Sequence, residues 1–229
     1  MSTEPLESWQ SAEYAAQWAV DDVLADMLDL PRKISAALVA DSGIEVEHVV
    51  DLGSGTGPYL ELFLRTFPDA RGTWVDVSEG MRELSEELLG PFGDRVSYQL
   101  ADLEQPDELE LQPAQVVVTS RVLHHFSPES LARLYRRLFD VVTPGGFLFN
   151  LDHIGPAGDW EQRYRRIRSQ FTGKRKQALK PHRHDYPLAP PDLHARLMEE
   201  AGFEKPDVPW RTFYTALVAA RRAGTASAR

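Results

Sequence analysis

The stretch Val49-Val50-Asp51-Leu52-Gly53-Ser54-Gly55-Thr56-Gly57-Pro58-Tyr59 sets three glycines at alternate positions between an apolar run and a proline suited to the first turn of a helix. Glycine accepts positive φ and lets a ligand lie against bare backbone, and a helix N-terminus offers unpaired N–H groups to an anion. Nineteen residues after Gly57, Asp76 closes the next apolar run, where a carboxylate can accept hydrogen bonds from both hydroxyls of a ribose. The combination points to nucleotide binding; a tight turn that only packs helix on strand is the alternative. Pro58 stands where a dinucleotide fingerprint needs its last glycine, and no G-x-x-x-x-G-K-[ST] run is present.

Proton transfer has candidates as well. His125 follows one apolar run and His153 ends the next, and an imidazole with an ordinary pKa of about 6.5 suits a general base near neutrality. His182-x-His184-Asp185 has the residue types of a metal site, but its spacing in a Pro- and Arg-rich loop is unspecific and no metal is expected. Between His153 and Tyr186 stand nine Lys/Arg against three acids, a local charge of +6 in a chain of net charge −10. Trp160, Tyr164, Phe171 and Tyr186 are interleaved with them. An anionic, aromatic acceptor would suit such a segment through charge-assisted bonds from arginine. A solvated helix face and an RNA surface are the alternatives, and the −16 on the rest of the chain counts against nucleic acid.

These residues need elements to hold them. Apolar runs at Val46–Leu52, Thr73–Val77, Val96–Ala101, Ala114–Ser120 and Phe147–His153 alternate with helical patterns after Pro58, Ser78 and Ser127-Pro128. A helix over Pro191–Ala201, a weak strand near Val208 and a strand over Phe213–Ala220 follow. The alternation implies a parallel sheet with helices on both faces. About ten residues separate Gly202 from Phe213, too few for a crossover helix, so the last two strands pair as a hairpin. The expected fold is α/β, a Rossmann-like doubly wound, mostly parallel seven-stranded sheet with an antiparallel last strand. Two helices over residues 9–42, broken at Pro31, make an N-terminal helical cap spanning 1–43. The domain proper covers 44–222, with an insertion at about 154–189, and 223–229 is a small, polar tail expected to fray.

The chain has 229 residues, 42% of them hydrophobic, which suffices for one large domain with an appendage. With no cysteine, a disulfide framework, a thiolate metal site and a Cys nucleophile are all excluded. No run approaches the ~18 apolar residues of a membrane span, and Met1-Ser2-Thr3-Glu4-Pro5 has neither part of a signal peptide. The expectation is a cytoplasmic protein with no membrane partner.

From about residue 45 to 222 the chain resembles the class I S-adenosylmethionine-dependent methyltransferases. Asp51–Gly57 is similar to the family's first motif, whose glycines cradle the methionine end of the cofactor, which implies roles there for Asp51, Gly53, Ser54, Gly55 and Gly57. Asp76 matches the acid that holds the ribose, and Val77 and Met81 match positions flanking the adenine. Ala101-Asp102-Leu103 matches the third motif, whose acid takes the adenine amino group. Val117–Phe126 resembles the fourth motif and brings Ser120 to the cofactor, and Pro144-Gly145-Gly146 resembles the turn into strand five. Arg121 is then either structural or faces the methionine moiety, and the His124-His125 pair is often a scaffold element in such proteins.

Tyr14 and Trp18, one helical turn apart, fall on a helix that in similar enzymes covers cofactor and substrate; core packing is the other reading. The basic insertion lies where the family carries substrate-specific structure, which makes Arg163, Tyr164, Arg166 and Arg183, together with Trp18 of the covering helix, candidates for the acceptor. The resemblance implies a methyltransferase acting on the oxygen or nitrogen of a small molecule, with S-adenosylmethionine as cofactor. A cyclase-like or regulatory protein that holds the cofactor without transferring methyl, and an RNA methyltransferase, are the alternatives. Oligomeric state is not legible.

Overall fold

The computed structural model describes residues 25–156, 158–171 and 186–224. Tyr14, Trp18, Arg183 and the His182–Asp185 cluster lie outside the described residues, as do most of the expected cap and the end of the tail.

Seven strands form one sheet: β1 (His48–Leu52), β2 (Arg71–Asp76), β3 (Val96–Leu100), β4 (Ala114–Ser120), β5 (Val142–His153), β6 (Glu204–Thr212) and β7 (Thr215–Arg221), in the order β3-β2-β1-β4-β5-β7-β6. Neighbours from β3 to β5 pair parallel, whereas β7 runs antiparallel to both β5 and β6. This is the Rossmann-like, mostly parallel sheet that the alternating pattern predicts. Helices α1 (Ala25–Asp41), α2 (Pro58–Thr66), α3 (Glu79–Leu89), α4 (Pro128–Val141), α5 (Trp160–Phe171) and α6 (Pro191–Ala201) accompany it. Ser78 caps α3 by accepting from the Met81 N–H, and Ser127 caps α4 by accepting from the Ser130 N–H.

Apolar residues pack on both faces of the sheet. Leu131, Leu134, Tyr135 and Leu138 of α4 join Leu197 and Met198 of α6 over one face. Leu28 and Val39 of α1 join Leu60 and Phe63 of α2 over the other. The chain reverses its direction of winding between β1 and β4, and in such sheets the crevice beyond the carboxyl ends at that point is where ligands bind.

Three local expectations need correction. Pro31 does not break its helix: α1 runs continuously through it. Leu28, Pro31, Arg32, Ser35, Ala36 and Val39 form one buried stripe at helical spacing, and its packing outweighs the one backbone bond that proline forgoes. Strand five begins at Val142, not Phe147, because Pro144-Gly145-Gly146 forms an irregularity inside it, with the pairing jumping from Ala114↔Val142 to Val116↔Phe147. The last strand begins at Thr215, and Phe213 and Tyr214 form the hairpin turn, with Phe213 at φ 55.

Candidate cofactor and acceptor site

The turn after β1 is built largely by β2. The Gly55 N–H donates to Asp76 Oδ2 at 2.9 Å, and the Gly55 carbonyl accepts from the Trp74 indole N–H at 2.8 Å. The Ser54 N–H donates to the Val75 carbonyl at 3.0 Å, so two successive residues of the turn are tied to β2. Gly53 and Gly55 are left-handed, at φ 64 and 56. A Cβ on Gly53 would overlap Val122 Cγ2, whereas one on Gly55 would meet open space. Gly53 therefore serves packing, and Gly55 keeps a cleft clear.

That cleft is lined by Asp51, Gly53, Gly55, Ser120 and Arg121 from the ends of β1 and β4, and by Arg32 of α1 and Tyr59 of α2. Asp51 is fully buried; its Oδ2 accepts from Ser54 Oγ at 2.6 Å, while its Oδ1 has no hydrogen-bond partner among the described residues. Burial pushes its carboxyl up to about 7, against the opposing pull of the Ser54 bond and the Arg32 charge. The Oγ of Ser120 and the Nε of Arg32 are also buried and without hydrogen-bond partners among the described residues. A native cleft that keeps an acceptor, a hydroxyl and a guanidinium donor unmatched is shaped for a polar ligand.

Asp76 is half-buried at the end of β2, with Oδ1 accepting from the Ser78 N–H at 3.1 Å. Burial raises its carboxyl, and the Gly55, Ser78 and Val77 N–H groups oppose that. Oδ2 accepts the Gly55 N–H and Oδ1 the Ser78 N–H, and a carboxylate oxygen has acceptor capacity beyond one such bond for a diol. The half-buried Asp102 accepts from the Glu104 N–H at 2.9 Å, beside the buried Leu103; Val77 is half-buried and Met81 buried.

Beyond β4 and β5 lies a cluster that motif spacing alone does not reveal. The carboxylate of Asp152 is fully buried; its Oδ1 lies 2.6 Å from His124 Nδ1 and its Oδ2 accepts the His124 N–H at 2.9 Å. Burial alone would raise the Asp152 carboxyl, but the charge and hydrogen bond of His124, with the charge of His153, hold it well below the usual carboxylate range. The rings of His125 and His153 lie 4.1 and 5.1 Å from that of His124. His153 Nδ1 is 3.1 Å from Thr215 Oγ1, and its ring meets Tyr214 edge-on. Among the described residues no group of three or more His, Asp or Glu is arranged to hold a metal ion.

A chain of side chains runs from this cluster to α5. The Arg165 guanidinium lies 5.1 Å above the Tyr214 ring, and Tyr164 lies between Phe213 and Trp160. Arg163 pairs with Asp159 and Arg165 with Glu161, each one helical turn away, as charges on a solvated face do. Arg166 is exposed on the same helix.

Residues 49–146 match a family model described as a methyltransferase domain. They span the glycine turn, the Asp76 strand end and β4, the segments that build the cleft. The sheet has the class I methyltransferase fold, and residues 49–146 are similar to a methyltransferase domain. S-adenosylmethionine is the cofactor that goes with this fold, and the acceptor, hydroxyl and guanidinium donor left unmatched in the cleft fit its amino-acid end.

The methyltransferase domain is similar to aclacinomycin 10-hydroxylase RdmB of Streptomyces purpurascens, at 29% identity over 64% of this chain and 40% of that protein. It is similar to 3-amino-4-hydroxybenzoate 4-O-methyltransferase of Streptomyces cremeus, at 24% identity over 75% of this chain and 44% of that protein. The chain thus spans less than half the length of either relative. In fold, it matches human N-acetylserotonin methyltransferase in complex with SAM with a TM-score of 0.68, at 16% identity over 97% of this chain and 60% of that one. Among the described residues no helix is long and apolar enough to cross a membrane.

Sequence reasoning did not single out Arg32, Trp74 or Asp152. A charged residue within the helical stripe Leu28, Arg32, Ser35, Ala36 and Val39 is a signal for the first. Asp152, next to His153 at the end of an apolar run, carried a weaker one.

Proposed function

We propose that this protein transfers the methyl group of S-adenosylmethionine to an oxygen or nitrogen of a small-molecule acceptor. The observation that carries the proposal is the cleft with its unmatched polar atoms at the carboxyl ends of β1 and β4, whose Ser120 stands four residues before His124 of the Asp152–His124–His125–His153 cluster. The relative that methylates 3-amino-4-hydroxybenzoate supports a small aromatic acceptor.

In this reading Asp76 holds the ribose hydroxyls, Asp102 takes the adenine amino group, and Val77, Met81 and Leu103 flank the ring. Asp51, Gly53, Ser54, Gly55, Gly57 and Ser120 hold the amino-acid end. The cofactor, when bound, supplies an already activated methyl group, so the protein's work is alignment and exclusion of water. His125 and His153, the half-buried members of the cluster, accept the acceptor's proton. The buried His124–Asp152 pair positions them by tying the end of β5 to the segment after β4. Tyr164, with Arg163 and Arg166 of α5, contributes to the acceptor's surroundings.

A second reading, that the cofactor is held without methyl transfer, has the similarity to a hydroxylase in its favour. Incubation of the purified protein with methyl-labelled S-adenosylmethionine and a pool of small phenols and amines separates the two. Label appearing in a small product, and lost in Asp76→Ala, supports transfer. Binding of the cofactor without labelled product across the pool supports the second reading.

A further inference from the structure

Arg32 has no role in the motifs, yet it is one of the few charged side chains buried in the described core. It reaches the cleft from α1, outside residues 49–146. Its guanidinium lies 5.8 Å above the Tyr59 ring, and the Tyr59 hydroxyl donates to Ser35 Oγ at 2.8 Å, which in turn donates to the Arg32 carbonyl at 2.6 Å. The hydrogen bonds hold the Tyr59 ring against α1, and the ring lies over the guanidinium, while Arg32 Nε is left without a hydrogen-bond partner among the described residues. A buried guanidinium is all donor and always charged, so an unmatched one in a cleft calls for an anion. In the same cleft Asp51 Oδ1 is an unmatched acceptor. One fixed cation and one buried carboxyl facing one space are the complement of a zwitterion, and the amino-acid end of the cofactor carries an α-carboxylate and an α-ammonium.

We propose that Arg32 recognises the α-carboxylate of the cofactor, so that α1 supplies the determinant by which the site selects ligands bearing an intact amino-acid end. The inference rests on the reading of this cleft as the S-adenosylmethionine site. The carboxylate meets the Arg32 guanidinium, and the ammonium meets Asp51 and Ser120. The Tyr59 ring lies over the guanidinium and favours the buried position through the attraction of a cation to an aromatic face.

Titration calorimetry with three ligands tests this: S-adenosylhomocysteine, its decarboxylated analogue, which keeps the amine but lacks the carboxylate, and 5′-methylthioadenosine, which lacks both. The expectation for Arg32→Gln is a loss of roughly ten- to a hundredfold in affinity for S-adenosylhomocysteine, the range of a charge-assisted bond. Affinities for the other two ligands should stay within about twofold, which also reports an intact adenine and ribose site. Arg32→Lys, which keeps the charge and loses the planar fork, should show a smaller loss confined to the same ligand, and it serves if the glutamine variant does not fold. Equal losses for all three ligands, or none for S-adenosylhomocysteine, overturn the role of Arg32 while leaving the cofactor assignment standing. No binding of any ligand by the wild-type protein overturns the cofactor assignment, and this inference with it.

Discussion

The side chain of Asp152 grips His124 twice, through Nδ1 at 2.6 Å and through the backbone N–H at 2.9 Å, with both residues buried. An ionised carboxylate can only accept, so His124 Nδ1 carries a proton and donates to Asp152. The pair ties the segment that follows β4 to the last turn of β5, where the other two imidazoles gather. Breaking a buried pair from one side strands the partner, and Asp152→Asn or His124→Asn alone should cost roughly 3 kcal/mol or more in urea unfolding. The double variant should cost less than the two together, by an interaction energy of roughly 0.5–3 kcal/mol. Strict additivity would show that the two side chains do not depend on one another.

Gly53 and Gly55 share a backbone conformation but should fail differently. In Gly53→Ala the new methyl would overlap Val122 Cγ2, and with the left-handed backbone the variant should lose roughly 2 kcal/mol or more of stability. Gly55→Ala has open space around its methyl and should lose only about 1 kcal/mol, the conformational cost. That methyl would stand in the cleft, however, and S-adenosylhomocysteine affinity should fall roughly tenfold or more. Thermal melts and titration calorimetry on both variants distinguish the two effects, and a wild-type affinity in Gly55→Ala would place the ligand elsewhere.

Burial pushes the Asp51 carboxyl up to about 7, so in the free protein it is largely protonated below that pH. A ligand ammonium favours the ionised form, and binding must then release a proton whenever the pH is near or below 7. Affinity for S-adenosylhomocysteine should therefore fall about tenfold from pH 8 to pH 6. Asp51→Asn should bind more weakly at pH 8 and lose the pH dependence. A flat wild-type profile would assign the ammonium to another group.

Tyr135 Oη lies 2.8 Å from His194 Nδ1 in the packing between α4 and α6, and Asn150 Nδ2 donates to that hydroxyl at 3.3 Å. Burial pushes the His194 imidazole down to about 4, with the Asp152 charge opposing it. The folded state thus binds fewer protons than the unfolded chain between pH 6.5 and 4, and stability falls as the medium is acidified through that window. Asp51 acts in the opposite sense, since its raised value favours the folded state at low pH and the benefit disappears as pH rises towards 7. Asp152, held below the usual carboxylate range, contributes stability that persists until more acidic conditions. The effect of His194 is isolated by comparison with His194→Gln. Relative to that variant the wild-type protein should lose up to roughly 3 kcal/mol between pH 6.5 and 4, measured by urea unfolding. Parallel profiles for the two would show that His194 does not titrate with folding.

Local chemistry in the sequence determined the glycine turn, the acid nineteen residues beyond it, and the alternation that dictates a parallel sheet ending in a hairpin. Each of these is written in neighbouring residues: positive φ needs glycine, crossovers need a dozen residues, and hairpins do not. The helix through Pro31 escaped that logic because a buried stripe, a property of the packed state, overrode a local propensity. Tertiary structure alone decided that Trp74 pins the Gly55 carbonyl, that Asp152 reaches back 28 residues to His124, and that Arg32 shares a cleft with Asp51. In each case the two side chains sit on different elements, and their meeting depends on strand order, register and helix packing. Periodicity fixes which face of an element is buried, and it carries no information about which buried partner lies opposite.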